Sequence, residues 1–163
     1  PIYLTFPFAL VLAGFMDLFT LTIPNKIVAI LIACFLIAAS SIGMFSPAFL
    51  CHFGAAFLTL VVGFAMFSRG WLGGGDAKLM VAAALWLGFE HLLPFLLWTA
   101  ILGGGLAVLL LTYRRMLPPL WLMRQPWAMR LHSPKEGIPY GIAMAGAGLI
   151  VYPQTFWITG LAN

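Results

Sequence analysis

Polar and charged positions are sparse along this chain, and they divide it into long apolar runs. The first run extends from Ile2 to about Thr22 and carries Asp17 in its last third. A second runs from Ile27 to about Phe45 and ends at Ser46-Pro47, and a third covers roughly Ala48 to Phe67 before Ser68-Arg69-Gly70. A fourth starts at Asp76 and reaches about Phe89. A fifth follows Glu90-His91 and reaches about Tyr113, and a sixth covers Ile138 to about Ile158. A helix of about 20 apolar residues is long enough to cross a bilayer. The pattern therefore predicts an all-α, polytopic membrane protein with about six transmembrane helices, built as one domain over residues 1–163. The fourth run is short, about 14–18 residues, which implies tilt or local thinning of the bilayer. The join at Glu90-His91, with Pro94 close behind, predicts a tight helical hairpin.

Composition agrees with the pattern. Of 163 residues, 63% are hydrophobic and 7% charged, with a mean hydropathy of +1.07, whereas a soluble domain carries about 25% charged residues. The net charge of +4 comes from eight basic and four acidic residues, too few for a nucleic-acid footprint. Cys34 and Cys51 lie apart in apolar stretches without metal-ligand spacing, and read as packing residues. His52, His91 and His132 fall in separate segments, so no shared metal site is expected and no Ser/His/Asp set assembles on one face. The chain starts at Pro1 within an apolar run and lacks a basic leader region, so the first run is expected to be a membrane helix rather than a cleaved signal.

Charge placement adds an orientation. With six spans, the loops around Lys26, around Arg69 and Lys78, and from Arg114 to Lys135 fall on one side, and these hold all eight basic residues. Basic loops mark the cytoplasmic side, so both chain ends are expected to be extracytoplasmic. Residues 114–137 hold five of the basic residues and four prolines, and interleave Arg114, Arg115, Arg124 and Arg130 with Leu120, Trp121, Trp127 and Met129. That mixture predicts an interfacial loop against anionic lipid headgroups.

Four acids remain to be placed. Glu90 on a turn and Glu136 beside Lys135 read as solvated loop residues. Asp17 sits in Gly14-Phe15-Met16-Asp17-Leu18-Phe19 among apolar side chains, and acids within membrane helices are costly and usually functional. Its structural alternative is a carboxylate bonded to a neighbouring helix or paired with Arg69 or Lys78. Asp76 follows three glycines in Gly73-Gly74-Gly75-Asp76-Ala77-Lys78 and could serve as a helix N-cap. A cap does not need the glycines, however. They permit turned or left-handed backbone and the close approach of another chain, as a protease needs for an extended substrate. On the predicted topology both acids lie at the cytoplasmic ends of their helices. Two carboxylates within reach share a proton: one takes a proton from water while the other, protonated, polarises a carbonyl.

These residues resemble a known family, the type IV prepilin peptidases, a branch of the GxGD aspartic proteases. Gly73 to Lys78 is similar to the GxGDxK motif, and Asp17 followed by Ile23-Pro24-Asn25 is similar to the first catalytic aspartate and its IPN sequence. Ile138-Pro139-Tyr140-Gly141-Ile142-Ala143 resembles the opening of the family's last helix. The resemblance implies an aspartic endopeptidase with Asp17 and Asp76 catalytic and Gly73, Gly74, Gly75 and Lys78 near the substrate. It implies prepilin or pseudopilin precursors as substrates, each a short basic leader followed by a hydrophobic helix and cut at their junction on the cytoplasmic face of a bacterial inner membrane, with no metal or other cofactor. Lys78 otherwise reads as a lysine reaching for the interface or for a lipid phosphate. Many members carry basic residues before IPN, where this chain has Leu18-Phe19-Thr20-Leu21-Thr22. Larger members have a cysteine-rich insertion and a methyltransferase activity. Only about ten residues separate Asp17 from the second span, so the chain resembles the short form of tight-adherence (Flp/Tad) pili, and S-adenosylmethionine is not implied. The competing class is a non-enzymatic transporter or pilus-assembly subunit whose acids bind ions or protons.

Overall fold

The computed structural model describes residues 2–43, 47–134 and 136–160, with Ala48 and Leu120 described by backbone alone. Ser46, expected to help end the second span, and Lys135 of the basic loop lie outside the described residues. Among the described residues eight α-helices follow one another: α1 Thr5–Thr20, α2 Asn25–Ser41, α3 Pro47–Ser68, α4 Gly74–Arg115, α5 Leu120–Met123, α6 Pro126–His132, α7 Tyr140–Val151 and α8 Phe156–Thr159. Among the described residues there is no strand.

Among the described residues three helices are long and apolar enough to cross a membrane: Ile2–Thr20, Phe49–Ser68 and Gly74–Arg115. The last has 42 residues, about 63 Å if straight and about twice the thickness of a bilayer core. It is not straight. Gly88 has φ 63° and ψ −178°, a conformation open to glycine and strained for other residues, and the helix breaks there into legs 74–87 and 89–115. Met80 of the first leg lines one cavity together with Thr99, Ala100 and Gly104 of the second. In a straight helix Met80 and Gly104 would be about 36 Å apart, so the legs fold back on each other. The hairpin expected between the fourth and fifth runs is present, but it turns at Gly88. Glu90, His91 and Pro94 lie within the second leg instead of forming the turn.

The break frees carbonyls that a continuous helix would occupy, and side chains from other helices take them. The His52 ring bonds the Leu85 carbonyl through Nδ1 at 2.8 Å, and Trp157 Nε1 donates to the Trp86 carbonyl at 2.7 Å. Trp86 itself is fully buried and donates to the Leu31 carbonyl at 3.0 Å. Around it pack Phe6 at 5.6 Å, Phe35 at 5.8 Å and Trp157 at 5.3 Å between ring centroids. This ring cluster ties α1, α2, α4 and the C-terminal segment together.

The sixth run is also divided. α7 stops at Val151, a 3-10 turn covers Tyr152–Gln154, and α8 takes up Phe156–Thr159. Pro153 lacks the N–H that would continue the helical bonding, and the backbone turns extended at Thr155, with φ −76° and ψ 156°. α7 alone has 12 residues and α2 has 17, so length and composition single out fewer spans than the six apolar runs predict.

Candidate functional site

Three helix N-termini and one C-terminus converge at the end of the bundle opposite the ring cluster. α1 ends at Leu21, whose N–H donates to the Asp17 carbonyl at 2.8 Å and whose φ is +53°. Positive φ is uncommon outside glycine, and here it turns the chain sharply one turn after Asp17. Ile23-Pro24 then leads into α2, with Pro24 extended at φ −63° and ψ 132°. Ile23 is buried against the glycine loop: a Cβ on Gly75 would stand 3.2 Å from Ile23 Cβ. A side chain on Gly75 would therefore press on Ile23. None of Gly73, Gly74 and Gly75 adopts positive φ, which falls instead on Gly70.

Asp17 and Asp76 face one another across a cavity of about 270 Å³ that is also lined by Leu21, Thr22, Asn25, Gly73, Gly74 and Lys78. Both aspartates are buried, and they are close enough to interact electrostatically. Asp17 Oδ2 accepts the Gly141 N–H at 2.7 Å. Gly141 is in the first turn of α7, where amides have no intrahelical acceptor, so the Asp17 carboxylate supplies one from another helix. The approach is possible only because Gly141 lacks a side chain; a Cβ would stand 2.9 Å from both Asp17 Cβ and Oδ2.

Asp76 is the third residue of α4, and Gly73 occupies the N-cap position. Its carboxylate leans back toward the Gly73 amide, and the positive end of the helix faces it. Asp76 Oδ1 is buried without a hydrogen-bond partner, a condition shared among the described residues only with Thr99 Oγ1. Asp76 thus stands at N3 and not at the N-cap itself, and its reach back to the Gly73 amide keeps part of the capping alternative, that of an N3 acid, while Oδ1 takes no part in it.

The ion pairs considered for Asp17 do not form. Lys78 Nζ donates to Asn25 Oδ1 at 3.1 Å, and the Arg69 guanidinium lies over the Trp71 ring at 5.4 Å. Lys78 shares the cavity with both aspartates although it is two residues from Asp76, because the cavity wraps the helix end. The structural alternative for Asp17 holds in one respect, since it does bond a neighbouring helix. Two residues beyond the expected set belong to the site: Gly141 through its amide and Asn25 through its amide oxygen. Both stand in segments whose sequence is distinctive, Pro139-Tyr140-Gly141 and Ile23-Pro24-Asn25, but only the tertiary contact assigns them a role.

The described basic residues gather at the same end. Arg130 donates to the Phe19 carbonyl at 3.0 Å, and Arg114 donates to the carbonyls of Leu131, Glu136 and Gly137. Among the described residues no three His, Cys, Asp or Glu side chains are grouped to hold a metal ion. His52 and His132 each bond a backbone carbonyl, of Leu85 and Met116 respectively.

Comparison with curated proteins and with solved structures returned no match. A protein-family model does match residues 4–108, a segment that contains both aspartates, the Ile23-Pro24-Asn25 turn and the glycine loop. On that match, which covers well over half of its length, the chain belongs to the type IV leader peptidase family.

Proposed function

We propose that this chain is the endopeptidase that removes the leader from prepilin or pseudopilin precursors, with Asp17 and Asp76 as its catalytic pair. The observation that carries the reading is the meeting of two buried carboxylates in one cavity, with no cation paired to either among the described residues. Such a pair holds one proton between them. The ionised member takes a proton from water, and the hydroxide equivalent attacks the scissile carbonyl. The protonated member donates to the carbonyl oxygen, and collapse of the tetrahedral species passes a proton to the departing amine. Asp76 Oδ1, which has no protein donor, is available to the reacting water.

The remaining assignments follow from the same reading. The gathering of basic residues at the acid end supports a cytoplasmic placement of the cavity, with both chain ends extracytoplasmic and the apolar runs crossing a bacterial inner membrane about six times. Residues 114–137 lie along the inner leaflet, and the protein is a single membrane domain of the short Flp/Tad type without methyltransferase activity. Gly73, Gly74, Gly75 and Lys78 line the cavity beside Asp76 and lie against the extended substrate backbone. The test is processing of a co-expressed precursor by the wild type, Asp17→Asn and Asp76→Asn. The reading predicts loss of the mature product in both variants; leader removal at the wild-type rate by either one would refute it.

A further inference from the structure

A leader peptidase must hold more of its substrate than the scissile bond, and the acid cavity shares part of its lining with an apolar groove. α2 and α3 meet at the ring-cluster end, where Phe35 lies 6.2 Å from both Phe49 and Phe53 and 5.6 Å from His52. Toward the acids, side chains of α2 and α3 flank the first leg of α4. The resulting groove, about 450 Å³, is walled by Val28 and Ile32 on one side and by Leu60, Phe64 and Phe67 on the other, over Ala77 and Val81. Leu60 and Phe64 are more than half exposed, and Phe67 nearly so. Gly74 and Lys78 line this groove and the acid cavity alike. A second apolar groove, walled by Leu58, Met66, Leu96 and Tyr140, shares no residue with the acid cavity.

We propose that the apolar helix of the precursor is seated in the wedge between α2 and α3, with its first turn at the Gly74–Lys78 mouth of the acid cavity. The inference rests on the peptidase reading above and specifies where the substrate lies. A chain leaving the cavity toward lipid must satisfy its own backbone groups and therefore enters as a helix. Laying an apolar helix into an apolar groove is a general mode of recognition. The shared lining at Gly74 and Lys78 gives this groove, and not the second one, a path from the scissile bond. Ring contacts of Phe35 with Phe49 and Phe53 join α2 to α3 beyond the groove, so a helix held between them is stopped at that end and presents its other end to the acids.

The test uses the full chain in membranes with a co-expressed precursor. A photoreactive residue placed at Ile32 or Leu60, in an Asp76→Asn background that holds substrate uncut, is expected to form adducts with the precursor. The same residue at Leu96 in the second groove, or at exposed Ile101 outside both, is expected to form none. In detergent, Ile32→Trp and Leu60→Trp should lower the ratio of kcat/KM for the precursor to that for a leader peptide lacking the apolar helix. A drop of about tenfold or more is expected from filling an apolar pocket, while Ile101→Trp leaves the ratio unchanged. Adducts with lipid alone at positions 32 and 60, adducts with the precursor at position 96, or an unchanged ratio in both tryptophan variants would overturn the docking site. In those cases continued processing by the wild type, lost in Asp17→Asn, leaves the peptidase reading standing. A wild type that cuts neither precursor nor peptide removes both.

Discussion

At the Gly88 end of the bundle, His52, Trp86, Trp157 and Tyr152 each direct a polar atom to a backbone carbonyl, at 2.8, 3.0, 2.7 and 2.7 Å. About 15 Å away along the first leg of α4, Asp76 Oδ1 is buried with no partner, beside a second buried acid. Burying a polar group costs free energy unless it is hydrogen-bonded. One end therefore satisfies its polar atoms and gains a single, tightly packed arrangement. The other leaves a buried carboxylate oxygen and a pair of acids poised, a condition that contributes nothing to stability and is understood through chemistry. The backbone differs too: positive φ falls on glycines at both ends, Gly88 at the ring end and Gly70 at the acid end, but the acid end adds one on a non-glycine, Leu21.

If that division is correct, substitutions at the two ends should separate activity from stability. The largest effect is expected from Asp76→Asn, which should lower precursor cleavage by a thousandfold or more, about the loss seen on removing a catalytic group. Its thermal unfolding in detergent should stay near that of the wild type, because the altered oxygen has no bond to lose. A sharp fall in stability would show that Asp76 is a structural group. Next, Gly141→Ala should reduce cleavage by about a hundredfold through displacement of the Asp17 carboxylate, with binding of an uncleavable precursor largely kept. Substrate affinity falling in parallel would point to collapse of the α1–α7 contact.

At the other end the order reverses. Trp86→Phe removes the donor to the Leu31 carbonyl and should cost about 1–3 kcal/mol of stability, while the activity of the molecules that remain folded is kept. Thermal melts and active-site titration of the same preparation would decide this. The smallest effect is expected for Asn25→Ala, which removes an exposed bond to Lys78 and should change stability by about 0.5 kcal/mol or less. A larger loss would mean that the rim of the cavity supports the fold more than its exposure suggests.

Much of this was legible before any contact was known. Apolar runs spaced by single polar residues determined the helical, membrane-embedded class. They also isolated Asp17 and Asp76, because a charge in such surroundings is costly. The glycine loop and the Ile23-Pro24-Asn25 and Ile138–Gly141 segments marked which helix ends would matter. Local pattern could not position the hairpin turn, since Glu90-His91 looks more like a loop than Leu87-Gly88 does. The turn depends on His52 and Trp157 occupying carbonyls from more than thirty residues away. Nor could pattern tell that Gly73–Gly75 provide space and not left-handed backbone, or that Lys78 binds Asn25 rather than an acid. Hydropathy and charge are properties of each residue and survive in the linear sequence. Which amide meets the Asp17 carboxylate, and which glycine must lack a side chain for it to do so, depends on distances between helices, and only the tertiary structure decides those.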